Sequence, residues 1–449
     1  MNFIGIDIGT TSICGVVIDV RKGKLSASLT LPNNSWLSAK HPWERMQNPA
    51  KIIATAERIL NSFTTRYGPM AGIGITGQMH GILYVDSSGR AVSPLFTWQD
   101  ERGRLMFKKN MTYAEKLSRM TGHPLAPGFG FVTHFYNLMN GIVPRSAAFL
   151  CTIADYVAMR FASQNRPFID PTNAAGIGIF NLKKLCFAGD AFRSARLRPG
   201  LLPRLVNTGD KIGITSDKIP VFAAPGDNQA SILGSVREVK NSFVVNIGTG
   251  GQISRWLPTC QFIKGLELRP FPGGGYLAVG ASLCGGKAYA LLENFFKDVC
   301  FHFAGVKPKD AYSVMNRLVS AGEEPPVVDT RFAGTRLDPK GCGTIRGISM
   351  KNFTAGHLTE GFLRGIADEL GAFYRLMPRK TQSHNILVGS GNGIRFNPRL
   401  RSILEKTFGL TMNISCFPEE AASGAALSAA VGARYYENYF EAGKIIRYE

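Results

Sequence analysis

A five-residue pattern occurs twice, about half a chain length apart. Residues 6–10 read IDIGT and residues 245–249 read VNIGT, in a chain of 449 residues. In each copy an apolar run precedes a glycine–threonine turn and another apolar run follows it, which predicts two antiparallel strands joined by a tight turn. A chance match is the alternative. The repeat predicts two domains, residues 1–235 and 236–449, each offering one turn to a shared cleft.

Length and composition agree with two globular domains. The chain exceeds what one hydrophobic core usually supports, and its residues are 45% hydrophobic and 19% charged. Residues 1–12 lack a basic leader, and no apolar run reaches the roughly 18 residues of a membrane helix. The eight cysteines lie far apart, which favours buried thiols over a disulfide or zinc site. We expect a cytoplasmic protein with no membrane partner.

The net charge raises the question of a polyanionic partner. Lys and Arg total 52 against 32 Asp and Glu, leaving a charge of +20. Such an excess attracts nucleotides and other polyanions at long range. The basic residues are scattered in pairs, however, without the dense run or interleaved aromatics of a nucleic-acid module. A solvated basic surface is therefore expected, and a nucleic-acid partner is not.

The first turn has the chemistry of a phosphate site. Gly9, Thr10 and Thr11 follow a buried strand, where their N–H groups and hydroxyls would be exposed together. Asp7 would place a carboxylate beside those phosphates, suited to Mg²⁺ directly or through water. A strand-end aspartate that caps the turn is the alternative. The repeat favours the phosphate interpretation, since its second copy offers similar groups: Gly248, Thr249 and Gly250.

Two common nucleotide motifs are excluded. Residues 72–77 satisfy GxGxxG, but the sequence that follows, QMHGILYV, is strand-like and opens no helix. The dinucleotide interpretation requires a helix at the third glycine. The phosphate loop GxxxxGK[ST] does not occur in the sequence. The glycine–threonine turns thus remain the candidate phosphate ligands.

Asp227 lies in a tight glycine turn, PGDNQ, before a run of small residues that reads as a helix. A carboxylate so placed could accept the proton of a hydroxyl that attacks a phosphoryl group. It could equally cap the following helix. The local sequence leaves both roles open.

Three further clusters suggest a sugar and an adenine. An aromatic ring beside amide, imidazole and carboxylate groups is the mixture that binds sugars, although a structural histidine is the alternative at position 80. A glycine-rich run at residues 389–393 would let a flat adenine approach the backbone, unless it is an unliganded turn. The candidate sugar ligands are Gln78, Met79, His80, Trp98 and Asp100.

Seven motifs in order resemble the FGGY carbohydrate kinases, in the superfamily of sugar kinases, heat-shock proteins and actin. They are IGIDIGTTS, ITGQMHG, TWQDER, APGDNQAS, NIGTGGQIS, EGFLRGIADEL and VGSGNGIRFNP, and they cover nearly the whole chain. The resemblance implies an α/β fold of two ribonuclease-H-like domains, each a mixed central sheet flanked by helices. The first domain would bind the sugar and the second the adenosine, closing over sugar and Mg-ATP.

The resemblance also implies a role for each matching residue. Asp227 would be the general base and contact the sugar, and Asp7 would hold the Mg²⁺–phosphate assembly. The two turns would bind ATP phosphates through Gly9, Thr10, Thr11, Gly248, Thr249 and Gly250. The sugar ligands would be the five residues given above. The adenosine would lie along Gly389, Ser390, Gly391 and Asn397.

Within the family, Met79 and His80 resemble kinases of xylulose and sedoheptulose, whereas glycerol kinases place an Arg–Glu pair there. Segments 97–102, 128–135, 172–181 and 275–291 resemble the sedoheptulose enzymes further. The expected reaction is ATP-dependent phosphorylation of sedoheptulose, with D-xylulose or another pentulose as the alternative. Glu405 and Lys406 depart from the Ala–Asp of many relatives near the nucleotide.

Two other classes were weighed against a kinase. A sugar sensor on a kinase fold usually lacks an essential acid, yet Asp7 and Asp227 are both present. An actin-like or chaperone-like ATPase would lack the sugar-facing QMHG and WQD clusters. A homodimer is compatible with the sequence, which does not determine the oligomeric state.

Overall fold

Two six-stranded sheets organise the chain in the computed structural model, which describes residues 1–335, 341–378 and 385–449. The chain divides into two units. The first unit comprises Met1–Arg237, Arg269–Gly275 and Cys416–Arg447, and the second comprises Glu238–Leu268, Tyr276–Ser415 and Tyr448–Glu449. The sequence predicted one division, after residue 235; the structure also assigns residues 269–275 and 416–447 to the first unit.

The sheet of the first unit places three strand ends at one edge. Its strands are β1 Asn2–Ile8, β2 Ser12–Asp19, β3 Lys24–Pro32, β4 Met70–Gly77, β5 Lys211–Ile214 and β6 Pro220–Phe222. The order is β5-β6-β4-β1-β2-β3, with β1 antiparallel to β2 and parallel to β4, and β6 parallel to β4. The predicted antiparallel pair is confirmed. The carboxyl ends of β1, β4 and β6 meet at the same edge.

The second sheet repeats this arrangement. Its strands are β7 Ser242–Ile247, β8 Gly251–Leu257, β9 Glu267–Pro270, β10 Tyr276–Ser282, β11 Ile386–Ser390 and β12 Met412–Ile414. The order is β9-β10-β8-β7-β11-β12, with β7 antiparallel to β8 and parallel to β11. The strand–turn–strand copy at residues 242–257 therefore occupies the same place as the N-terminal one, as the repeat predicted.

Helices flank both sheets. They are α1 Pro49–Tyr67, α2 Tyr113–Thr121, α3 Gly130–Met139, α4 Ile153–Phe161, α5 Pro171–Ile177, α6 Gly189–Ser194, α7 Asp227–Ser235, α8 Gly285–Ala304, α9 Ala311–Arg317, α10 Ala355–Leu376, α11 Asn392–Arg395, α12 Pro398–Phe408, α13 Glu420–Gly432 and α14 Tyr439–Ala442. Asn48 caps α1, because its side chain accepts from the N–H groups of Ala50 and Lys51. No helix among the described residues is long and apolar enough to cross a membrane.

Shorter elements complete the fold. Single-turn 3₁₀ helices span Arg102–Arg104, Pro199–Leu201, Val239–Asn241 and Gly443–Ile445. Two-stranded sheets pair Met46–Gln47 with Leu95–Phe96, Leu83–Val85 with Phe149–Cys151, Met106–Lys108 with Met111–Thr112, Phe168–Ile169 with Arg204–Leu205, Phe180–Asn181 with Cys186–Phe187, and Val327–Asp329 with Thr344–Arg346.

The prediction that the cysteines are buried is partly wrong. Cys14, Cys151 and Cys284 are buried, but Cys342 and Cys416 are exposed. These two lie in connections beside strands, where the local sequence does not determine burial. The cysteines that the structure describes form no disulfide with one another.

The small-residue helix α13 packs directly on the sheet of the first unit. A Cβ added to Gly5 or Gly74 would overlap backbone atoms of Ala422 or Ala425 in α13, and one added to Gly424 would overlap Ala230 in α7. The glycines therefore allow backbones to touch where any side chain would separate them. The small residues of α13 permit the same close approach from the helix side.

Gly74→Val is expected to destabilise the protein by about 1–3 kcal/mol or more, because the added atoms have no space between β4 and α13. Urea unfolding measures the change. Gly200→Ala is the control, since a Cβ at this exposed glycine meets no atom within 4 Å. An unfolding midpoint of Gly74→Val equal to that of the wild type would contradict the packing described.

Candidate functional site

The edge formed by β1, β4 and β6 carries most of the candidate residues of the first unit. Asp7 is the residue before the last of strand β1, opposite Thr76 of β4 in the parallel register. Gln78 follows β4, and its backbone N–H donates to the carbonyl of Ile8 at 3.0 Å. Asp227 follows β6 by five residues. Ligands commonly bind at the carboxyl ends of parallel strands in such sheets.

The first glycine–threonine turn is held by its carbonyl groups. Gly9 O accepts from Asn33 Nδ2 at 2.8 Å, Thr10 O from Gln47 Nε2 at 2.8 Å, and Thr11 O from the Asn33 N–H at 2.9 Å. Because C=O and N–H point in opposite directions in a trans peptide, the N–H groups of Thr10 and Thr11 point away from these supports. Amides so directed can bind an anion.

Asn33 and Gln47 were not predicted from the sequence. They are 3% and 0% exposed, and Ser35 Oγ donates to Asn33 Oδ1 at 2.6 Å. A buried amide that is itself hydrogen-bonded has one orientation, so it fixes the carbonyl it contacts. Neither residue is adjacent to the turn in sequence, so no local motif could have identified it.

Gln78 and Trp98 both contact this turn. Gln78 is 3% exposed; its Nε2 donates to Gln47 Oε1 at 2.9 Å, and its Oε1 lies 3.4 Å from Thr10 Oγ1. Trp98 Nε1 donates to Thr10 Oγ1 at 3.1 Å, while 43% of the residue is exposed. The Gln78 amide thus contacts Thr10 through Oε1 and Gln47, which supports the turn, through Nε2, whereas Trp98 keeps a ring surface in solvent.

Asp100 forms a buried ion pair. Its Oδ1 and Oδ2 accept from Arg102 Nε and Nη2 at 2.6 and 3.0 Å, and Oδ2 also accepts from the Arg45 N–H at 3.0 Å. The Arg102 guanidinium lies 4.2 Å from the centre of the Phe96 ring. These bonds fix the loop that carries Trp98, because both oxygens of the Asp100 carboxylate accept hydrogen bonds.

His80 is held in an unusual backbone conformation. Its φ is +73°, and its Nδ1 lies 2.6 Å from the carbonyl oxygen of Gly176. Since a carbonyl only accepts, Nδ1 carries a proton and donates it to Gly176 O. The ring stacks on Phe129 with centroids 4.9 Å apart. Met79 is 5% exposed and packs against Gly226.

Asp227 is the first residue of α7, and Gly226 occupies the N-cap position. The carboxylate is therefore not the helix cap that the sequence left open as an alternative. Burial raises the pKa of Asp227 to about 6, although the N–H of Asn228 and the charge of Arg269 oppose the rise. The group is ionised at neutral pH and can accept a proton.

Asp7 has the environment of a cation ligand. Its Oδ1 is buried with no hydrogen-bond partner among the described residues. Burial, followed by the charges of Asp227 and Glu419, raises the pKa of Asp7 to about 7. Mg²⁺ fits this uncompensated oxygen. No three His, Cys, Asp or Glu of the described ranges form a metal cage, so water and phosphate oxygens would complete the coordination of an ion there.

The second turn is supported by a helix start. Gly248 O accepts from the Gly286 N–H and Thr249 O from the Lys287 N–H, both at 2.9 Å, and Gly248 N donates to Gly250 O at 3.0 Å. A Cβ on Gly286 would overlap the Gly248 carbonyl. The glycine pair at the start of α8 is therefore needed for this packing, a requirement that the sequence analysis missed.

The candidate adenosine residues differ in exposure. Ser390 is fully buried and accepts from Asn246 Nδ2 at 2.8 Å, and Gly389 packs in the core. Asn397 caps α12 by accepting from the Leu400 N–H at 2.9 Å. Gly391, with φ +83°, is partly exposed beside Asn392. The exposed surface of this segment is therefore the backbone after β11.

Known proteins resemble the chain over nearly its full length. The model of the FGGY family of carbohydrate kinases, N-terminal domain, matches residues 2–234. Sedoheptulokinase of Mus musculus is 27% identical over 473 residues, covering 94% of this chain and 96% of the relative. Xylulose kinase of Staphylococcus xylosus is 23% identical over 470 residues, covering 98% and 92%.

A solved structure agrees with the fold. Ligand-bound xylulose kinase from Lactobacillus acidophilus superposes with a TM-score of 0.85 at 19% identity, covering 100% of this chain and 92% of that chain. At this identity the likeness concerns the fold alone. It confirms the predicted α/β class with two mixed central sheets.

Proposed function

Since the chain belongs to the FGGY family of carbohydrate kinases, we propose that it transfers the γ-phosphoryl group of ATP to a terminal hydroxyl of a ketose. The observation that carries this proposal is the shared sheet edge where β1 ends with Asp7 and the turn at residues 9–11, and where the chain leaving β6 reaches Asp227. Sedoheptulose, yielding sedoheptulose 7-phosphate, is the proposed substrate. The likeness to the mouse sedoheptulokinase over 94% of the chain supports this choice.

Asp227 is the proposed general base. Its carboxylate takes the proton of the terminal hydroxyl as that oxygen forms a bond to the γ-phosphorus, and the bond from phosphorus to the ADP oxygen breaks. The carboxylate must be ionised to do so, which its pKa of about 6 permits at neutral pH.

Asp7 would hold Mg²⁺, directly or through water. The bound ion would offset the negative charge of the phosphates. The outward N–H groups of Thr10 and Thr11 would bind phosphate oxygens, and we assign the same role to Gly9 and to the exposed turn of the second unit, Gly248, Thr249 and Gly250. The adenosine would lie along the backbone near Gly391, with Gly389, Ser390 and Asn397 shaping that segment.

The sugar would contact the imidazole of His80 and the exposed ring of Trp98. Met79 would line the site beside Asp227, because it packs under Gly226. Gln78 and Asp100 would contribute by orienting the phosphate turn and the Trp98 loop, since their polar atoms are engaged there.

ADP release with Mg-ATP tests the function. Sedoheptulose, D-xylulose, D-ribulose, L-ribulose and glycerol are offered in parallel, with a control that lacks sugar. Selective release with sedoheptulose supports both the reaction and the substrate. Preference for D-xylulose supports the second candidate, which the likeness to the Staphylococcus xylosus enzyme favours. If no sugar causes ADP release from protein that binds ATP, a sugar sensor would be favoured.

Gln47→Ala is expected to raise the KM for ATP by about tenfold, because the Thr10 carbonyl loses its donor and the turn loses its fixed orientation. Steady-state kinetics at saturating ketose measure the change. Gln164→Ala is a matched control, since this glutamine also donates to a backbone carbonyl, that of Ala162, away from the turn. Equal KM values for the two variants would contradict the support assigned to Gln47.

A further inference from the structure

Side chains make three hydrogen bonds to two consecutive peptide groups shortly before Asp227, those that join Ala224 to Pro225 and Pro225 to Gly226. Each of these side chains is at most 1% exposed. The bonds run from Asn173 Nδ2 to Ala224 O at 2.9 Å, from Thr76 Oγ1 to Pro225 O at 2.7 Å, and from the Gly226 N–H to Thr172 Oγ1 at 2.7 Å. An ordinary loop would satisfy such groups with water. This loop is instead fixed from β4 and α5.

Asp170 determines the direction of the bond to Gly226. The Thr172 hydroxyl has one proton, and it donates that proton to Asp170 Oδ1 at 2.7 Å. Its lone pair must then face the Gly226 N–H. Asp170 is fully buried and caps α5, accepting from the Asn173 N–H at 3.0 Å. Its other oxygen accepts from Thr208 Oγ1 at 2.5 Å.

The sheet relates this support to Asp7. Thr76, which holds the Pro225 carbonyl, pairs with Asp7 in the register of β1 and β4. The same strand end thus fixes Asp7 through the sheet and Asp227 through its loop. Rotation of the peptide before Gly226 would swing the Asp227 carboxylate, and the bond to Thr172 opposes that rotation.

We infer that Thr172, oriented by Asp170, is a positioning residue that holds the loop of Asp227 for proton transfer. The inference rests on the proposed function of Asp227 as the base. Thr172 contacts backbone and not substrate, so its loss affects the rate of the chemical step more than the binding of either substrate. A displacement near 1 Å at a reacting group costs on the order of 100-fold in rate.

Thr172→Val, which keeps the shape and removes the hydroxyl, is expected to lower kcat by about 10- to 100-fold. The KM values for ketose and ATP should remain within about threefold of the wild type. Thr172→Ser, which restores the hydroxyl, should recover most of kcat. Thr208→Val is the matched control, because it removes a hydroxyl from the other oxygen of Asp170 and leaves the Gly226 bond intact.

Each of these measurements can support or overturn the role assigned to Thr172. Full kcat in Thr172→Val, or an equal loss in Thr208→Val, would overturn it, since the hydroxyl would then act only on general stability. Should Thr172→Val not fold, Thr76→Val removes the donor to Pro225 and tests the same support, with full kcat again counting against it. A wild-type protein that phosphorylates no ketose would refute the proposed function itself. The ADP-release assay with the five sugars tests this before any variant is made.

Discussion

Asp227→Ala should reduce ketose phosphorylation by at least about 1,000-fold while ATP still binds. The substitution removes the carboxylate that takes the hydroxyl proton, and the described residues at this strand edge offer Asp7 as the other acid, which the proposal commits to Mg²⁺. Burial raises the pKa of Asp227 to about 6, so the group is present as a base at neutral pH. Turnover with the preferred ketose and a direct titration of ATP measure the two effects.

Asp190→Ala is the control for Asp227→Ala. Asp190 also lies in the first turn of a helix, α6, but it is exposed and pairs with Arg193. The two substitutions thus remove the same chemical group from similar backbone positions. Near-normal turnover by Asp227→Ala would refute the base assignment, whatever the effect on stability.

The repeated turn predicted much of the fold, because the same short pattern determines a strand pair locally and indicates that the chain contains two similar sheets. An apolar run, a glycine–threonine turn and a second apolar run produced antiparallel pairs in both sheets. The strands that pair in parallel with β1 and β7 could not be identified from this pattern, because β4 and β11 come from distant segments of the chain. Helix α13 belongs to the first unit, although nothing in residues 420–432 distinguishes which sheet they contact.

The supports of the site were missed for a related reason. Asn33, Gln47 and Thr172 act through hydrogen bonds to backbone groups far away in sequence. Such bonds depend on where the distant backbone group lies in the fold, and no local pattern around these three residues indicates that position. Asparagine, glutamine and threonine are common residues, so composition alone does not indicate which of them support the site.

Two candidate residues show how one pattern admits two interpretations. Asn397 was interpreted as an adenosine ligand, yet its side chain caps α12 in the way that Asn48 caps α1, each with a proline next. The carboxylate of Asp100 was interpreted as a sugar ligand, yet Arg102 lies two residues later and pairs with it. Burial decides between these roles, and a short segment does not determine burial.

Asp7→Asn is expected to have opposite effects on activity and on stability. Turnover should fall on the order of 100-fold or more, because the carboxylate proposed to hold Mg²⁺ near the phosphates is lost. The free energy of unfolding of the ligand-free protein should rise at neutral pH. Its buried Oδ1 has no partner among the described residues, so the native protein gains little from the charge that Asn removes.

The sign follows from proton linkage. The pKa of Asp7 is raised from 3.8 to about 7 by burial and by the charges of Asp227 and Glu419. Below pH 3.8 both folded and unfolded states hold the proton, and Asp7 costs no stability through its charge. As pH rises toward about 7 the unfolded state loses the proton first, so stability falls across this window. The loss is complete above it.

Urea unfolding of wild type and Asp7→Asn at about pH 4 and about pH 8, without ATP or Mg²⁺, measures this difference. At about 1.4 kcal/mol per pH unit, the pKa difference sets an upper limit of about 4 kcal/mol on the gain at the higher pH, with little gain at the lower. Asp190→Asn, at an exposed carboxylate, is the control. A less stable Asp7→Asn at about pH 8 would mean that native contacts compensate the Asp7 charge, and the site would then have no need of a cation.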